Sequence, residues 1–79
     1  MPTPLLSVGY VQTMVQNTVY ALPARACHMF FQGAGASVEF SNDGTNWTVG
    51  AASPQSLTVG AGFARSTGAD ALVTLKPLG

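Results

Sequence analysis

Hydrophobic and polar residues alternate with a period of two along most of the chain. At 38–41, Val38 and Phe40 fall on one face of a strand and polar residues fall on the other. The next residues, 42–44, read Asn-Asp-Gly, and these residue types tolerate the left-handed backbone of a tight hairpin turn. Trp47 then resumes the alternation on the far side of the turn. This stretch therefore predicts a β-hairpin.

Similar short segments recur at intervals near ten residues, separated by Gly, Pro and Asn. Segment 8–15 is apolar in both phases of the alternation, which predicts a strand buried on both faces. Segment 26–32 is bracketed by Pro23 and Gly33 and is predicted to be a central strand. The predicted strands are 8–15, 18–22, 26–32, 38–41, 47–49, 57–59, 62–66 and 71–76. Short strands at this spacing predict an all-β fold, a small antiparallel β-sandwich or a jelly-roll-like barrel.

Residues 1–7 have a different pattern, with two prolines and no periodicity. They predict an extended N-terminal arm that can lie on a neighbouring molecule, followed by a single β domain at 8–79. Removal of this arm is expected to weaken attachment to a partner and to leave the fold intact.

Size and composition indicate self-association. A chain of 79 residues removes only about 60–65% of its unfolded surface from water. The single cysteine, Cys27, excludes an internal disulfide, and 47% of residues are hydrophobic while only 8% are charged. A homo-oligomer is the remaining way to stabilise such a small core.

The charge pattern and the apolar runs exclude several partners. The net charge is zero, so no basic stripe is available for nucleic acid. No apolar run approaches the roughly 20 residues of a membrane helix, and no membrane partner is expected. The first residues lack a signal-peptide pattern, which predicts synthesis in a cytoplasm.

The sequence predicts no enzyme, cofactor or metal. Cys27 and His28 are the only Cys and His, and as neighbours on a strand they point to opposite faces. Asp43 is explained by the turn and Asp70 by the loop before the last strand. Segment 33–38 begins like a dinucleotide-binding loop but lacks the third glycine and a following helix.

Two positions are candidates for recognition, and each has a structural alternative. Trp47 beside a polar turn could stack on a sugar ring, or it could pack over Phe40 or Val38 across the hairpin, which we favour. Phe63 and Arg65 share one strand face and could anchor a subunit contact, or Arg65 could simply face solvent.

The hairpin at 41–47 and the segment 63–76 resemble small structural proteins of tailed bacteriophages, in particular the all-β decoration, or cement, proteins of the head. The resemblance implies a non-enzymatic virion protein, made in the host cytoplasm, that forms a trimer on the capsid surface and bridges subunits of the major capsid protein. The alternative is a phage fibre or spike module that binds a host glycan through Trp47, Tyr10 or Tyr20. The expected interface residues are Pro4, Leu5, Leu6, Tyr10, His28, Trp47, Phe63 and Arg65.

Overall fold

The computed structural model describes residues 3–48 and 50–78, and these form eight strands and no helix. The all-β prediction is confirmed. The strands are β1 (Val11–Met14), β2 (Val19–Leu22), β3 (Cys27–Gln32), β4 (Ser37–Ser41), β5 (Ala51–Ala52), β6 (Gln55–Val59), β7 (Gly62–Thr67) and β8 (Ala71–Pro77).

The strands form two four-stranded antiparallel sheets packed as a sandwich. The first sheet has the order β1-β8-β3-β6 and the second has the order β2-β7-β4-β5. Strand β1 pairs with β8, β2 with β7, β3 with β6 and β4 with β5. This nested pairing is that of one long hairpin, closed between β4 and β5 and wrapped over itself. It is the jelly-roll topology, so the predicted sandwich or jelly-roll-like fold is confirmed.

The core lies between the sheets and follows the period of two. On β3, residues Cys27, Met29 and Phe31 are buried while the residues between them are exposed. On β8, the buried residues likewise alternate, at Ala71, Val73 and Leu75. The prediction that 26–32 forms a central strand is confirmed, since β3 lies between β8 and β6.

A single chain of this protein is as compact as a monomer of its size should be. Its accessible surface is 4508 Å², and a folded monomer of 8.1 kDa should expose about 4,500 Å². Its radius of gyration is 11.1 Å, close to the roughly 11.6 Å expected for 79 residues. Any oligomer is therefore an assembly of subunits that already have a complete core.

Segment 8–15 was predicted to be a strand buried on both faces, and the predicted burial is wrong. Strand β1 covers only Val11–Met14, and of its residues only Met14 is buried. Val11 is 69% exposed, and Val15, just after the strand, is 49% exposed. The reason is position: β1 is an edge strand, and no layer covers the outer face of its sheet.

The extended arm is not confirmed for the described part of 1–7; residues 1 and 2 lie outside the description. The Leu6 N–H donates to the Ala21 carbonyl at 3.0 Å, and the Ala21 N–H donates to the Pro4 carbonyl at 2.8 Å. Leu5 pairs with Ala21 in a parallel bridge, and Leu6 is buried in the core. The segment thus lies along β2 of its own molecule, and its removal is expected to damage the fold.

The hairpin of β4 is longer than predicted. The chain leaves β4 at Ser41 and first returns where the Thr48 N–H donates to the Phe40 carbonyl at 3.0 Å. The next strand is β5, at Ala51–Ala52, instead of the predicted 47–49. Val49, which belonged to that prediction, lies outside the described residues.

Candidate functional site

Trp47 lies against Arg65 on the outer face of the second sheet. Arg65 and Glu39 are opposite each other on β7 and β4, with 2.7 Å between Arg65 Nε and Glu39 Oε1. The Arg65 guanidinium carbon is 4.2 Å from the centre of the Trp47 ring. The favoured packing of Trp47 over Phe40 or Val38 is therefore wrong, because Val38 faces the core and Trp47 stacks on the opposite side of the sheet.

This arrangement limits the parts of Trp47 and Arg65 that a partner could contact. Arg65 is bound through Nε to Glu39 of its own chain, so an intersubunit contact would have to use its terminal amino groups. One face of the Trp47 ring is covered by the guanidinium, and a sugar would have to use the other.

An apolar row lies beside this cluster. Phe63 shares the outer face with Arg65, and Ala21 on β2 lies directly opposite Phe63. Leu5 extends the row beyond Ala21 and is 61% exposed. Of the expected interface residues, Leu5, Trp47, Phe63 and Arg65 are thus brought to one face, whereas Leu6 is in the core.

The loop after β4 is organised by Asp43. Its Oδ1 accepts hydrogen bonds from the N–H groups of Asn46 at 2.9 Å and Thr45 at 2.8 Å and from the Ser41 hydroxyl at 2.9 Å. Its Oδ2 accepts from the Asn46 side-chain amide at 2.7 Å. These bonds, the one from the Asn46 N–H foremost, hold the pKa of the Asp43 carboxyl well below its usual range. Asp43 is therefore a structural carboxylate and a poor proton donor.

Cys27 and His28 lie on opposite faces of β3, as predicted. Cys27 is fully buried, while His28 is exposed and has its Nε2 3.1 Å from the Ser56 hydroxyl. Within 3–48 and 50–78, no carboxylate is hydrogen-bonded to His28 to orient the ring, and no group of three or more His, Cys, Asp or Glu could hold a metal. The pair lacks the third member that would make Ser56 a nucleophile.

The residues around His28 form a shallow depression on the outer face of the first sheet. It has a volume of about 270 Å³ and is lined by His28, Phe30, Ser56, Thr74 and Lys76. The strand register explains the grouping, because Phe30 is opposite Ser56 on one side and Thr74 on the other, and His28 is opposite Lys76. The sequence pattern indicated His28 but not its partners, since these belong to strands distant in sequence.

The β1 edge of the same sheet carries exposed apolar side chains. Tyr10 and Val11 are each 69% exposed, Val15 is 49% exposed, and Leu72, opposite Thr13 on β8, is 45% exposed. We call Tyr10, Val11, Val15 and Leu72 the β1 surface. It holds four of the seven large apolar residues that are exposed in the described chain.

The Tyr20 ring is partly buried and therefore less available to stack on a glycan than the exposed Tyr10 side chain. The ring of Tyr20 packs against the core, and its hydroxyl accepts a hydrogen bond from the Val15 N–H at 2.9 Å. Tyr10, by contrast, belongs to the exposed β1 surface.

Comparisons of the chain with protein-family models, with curated proteins and with solved structures found no match. In the described residues, no helix is long and apolar enough to cross a membrane. The function is therefore argued from the surfaces of the molecule.

Proposed function

We propose that the protein is a non-enzymatic structural protein that self-associates through the β1 surface and decorates a bacteriophage head. The observation that supports this most directly is an uncharged edge strand with exposed apolar side chains. An edge strand presents unpaired N–H and C=O groups, and an exposed apolar edge is a site of association with another chain.

The sequence of β1 does not protect this edge. Natural edge strands are usually blocked by lysine, proline or a covering segment, and Val11–Met14 contains no charge and no proline. The one side-chain contact near its start joins Gln12 to the backbone of Ser7, with hydrogen bonds of 3.0 and 2.7 Å. The edge is thus suited to a partner strand.

A second copy of the chain offers a matching edge. Strand β6 (Gln55–Val59) is the other edge of the first sheet and also carries no charge. Pairing β1 of one subunit with β6 of the next is a head-to-tail contact, and such contacts form a ring when the rotation closes. A trimer of this kind would leave no free edge in the first sheet of any subunit.

The placement on a phage head rests on the resemblance of the hairpin and of segment 63–76 to decoration proteins. The fold is compatible, because jelly rolls occur in viral capsid domains, and also in lectins. Since a fold does not determine a function, the major capsid protein as partner and the virion as location belong to the proposal.

Solution mass tests self-association. Light scattering on a size-exclusion column, repeated across dilution, is expected to give a trimer for the unchanged protein and a monomer for Val11→Lys, because a charge would be buried in the contact. The control is Leu78→Lys, at a residue that is 46% exposed and outside the β1 surface. It should remain a trimer. A monomer at every concentration for the unchanged protein would contradict the proposal.

Attachment to the capsid is tested separately by sedimentation with purified phage heads. The unchanged protein and Leu78→Lys are expected to sediment with the heads, whereas Val11→Lys should bind more weakly because it loses the trimer. A trimer that does not bind heads would retain self-association and refute the decoration role.

A further inference from the structure

The depression on the first sheet has the composition of a small-ligand site. Phe30 lies at its centre and is 40% exposed, unlike a core aromatic. The residues opposite it on the two neighbouring strands are Ser56 and Thr74, and side chains opposite each other in a sheet are about 5 Å apart. An exposed aromatic surface is therefore flanked on both sides by hydroxyl groups.

One end of the depression is basic. Lys76 and His28 are opposite each other on β8 and β3, and no carboxylate of the described residues lies within 4 Å of the Lys76 ammonium. The acidic residues are engaged elsewhere: Glu39 binds Arg65, Asp43 organises its loop, and Asp70 accepts a hydrogen bond from the Gln16 N–H at 2.8 Å.

The depression has room for about one ring. Its volume of about 270 Å³ is just below the roughly 300–1,000 Å³ of sites for drug-sized molecules. A ring that stacks on an aromatic side chain, carries hydroxyl groups at its edge and bears one negative charge matches each feature of the site.

We propose that this depression binds an acidic monosaccharide. The sugar ring stacks on Phe30, its hydroxyl groups hydrogen-bond to Ser56 and Thr74, and its carboxylate pairs with Lys76. The hydrogen bond between His28 and Ser56 holds the hydroxyl at the edge of the site. The site adjoins the β1 surface, because Val11 lies opposite Thr74, but all of its proposed contacts come from one subunit, so the proposal does not depend on self-association.

The test is a titration followed by amide chemical shifts in ¹⁵N-labelled protein. The three probes are the methyl glycoside of glucuronic acid with its free carboxylate (methyl glucuronide), methyl glucoside and acetate. Methyl glucuronide is expected to give saturable shifts at the residues that line the depression. Methyl glucoside should bind about tenfold more weakly, because it lacks the charge-assisted contact. Acetate should give no saturable shift, because it cannot stack on Phe30.

Three variants assign the contacts. Lys76→Gln is expected to reduce the affinity for methyl glucuronide to that for methyl glucoside, and Phe30→Leu to abolish the response to both sugars. Trp47→Ala should leave both titrations unchanged, because Trp47 lies on the other sheet.

Three results would overturn the proposal: no saturable shift with either sugar, an equal response to acetate and glucuronide, or loss of the response in Trp47→Ala. No saturable shift would mean that the depression binds neither sugar. An equal response to acetate would mean that Lys76 attracts any anion, and loss of the response in Trp47→Ala would mean that sugar binds on the opposite sheet. Light scattering on the same samples reports self-association independently of these outcomes.

Discussion

Replacement of Leu6 by alanine should destabilise the protein strongly, whereas the same change at Leu5 should not. The two leucines are adjacent, yet Leu6 is 1% exposed and Leu5 is 61% exposed. The difference arises because the segment runs beside β2 as an added strand, so that successive side chains point alternately into the core and into solvent.

The size of the effect follows from the burial. Truncation of a fully buried leucine to alanine costs about 2–5 kcal/mol of unfolding free energy, including the cavity it leaves. A domain of 79 residues has a total stability of roughly 4–12 kcal/mol. Leu6→Ala is therefore expected to lower Tm by about 8–40 °C, given about 4–8 °C per kcal/mol for a domain of this size. Leu5→Ala should stay within about 0.5 kcal/mol of the unchanged protein.

Urea unfolding followed by the fluorescence of Trp47 measures both variants on one scale. A Leu6→Ala variant that does not fold, beside a Leu5→Ala variant that does, would support the core position of Leu6 as well as a lowered midpoint would. Equal midpoints for the two variants would refute the docked segment and restore the extended arm at 1–7.

Two further changes test the turns. Asp43→Asn should reduce the loss of stability on acidification. The pKa of the Asp43 carboxyl is lowered in the folded state, so its ionised form stabilises the fold above the ordinary pKa near 4, and this contribution is lost as pH falls below 4. Urea midpoints at pH 7 and pH 2 measure the difference, and an unchanged pH dependence would contradict the role of the hydrogen bonds to Asp43. Gly68→Ala should destabilise the protein more than Gly35→Ala. Both glycines have positive φ (85° and 79°), but only at Gly68 would an added Cβ meet the backbone, 2.5 Å from the Gly35 carbonyl oxygen. Equal thermal midpoints for the two variants would refute this steric argument.

The fold could be predicted from the sequence because its strongest signals are local. Segment 26–32 alternates between buried and exposed residues over its full length, and Pro23 and Gly33 mark its ends. The turn at 42–44 is equally local, since the Asp43 side chain bonds to residues within three positions of itself. Strand content and fold class follow from such patterns without knowledge of which strands pair.

The errors in the sequence-based prediction concern contacts between distant segments and the length of one loop. Leu5 and Leu6 show no period because only two side chains of the segment take part in the alternation. Their partner in β2 is also distant, since Leu5 pairs with Ala21, sixteen residues along the chain. Trp47 was placed on the wrong face because the phase of its alternation was carried across a loop too long to preserve it. Ser56 could not be connected with His28 before the register of β3 and β6 was known.

The two proposed surfaces lie on one sheet, and their positions relate self-association to ligand binding. Ser56, at the edge of the depression, is on β6, the strand that would receive β1 of the next subunit in a head-to-tail ring. In such a ring the neighbour's β1 would lie beside the depression on the β6 side, just as the subunit's own Val11 lies beside it on the β8 side, opposite Thr74. A ligand that binds the assembled form better than the monomer stabilises the assembly, and assembly raises the ligand's affinity by the same factor. The acidic sugar and the neighbouring subunit would then support each other, whereas a ring that uses any other edge would leave the two events independent.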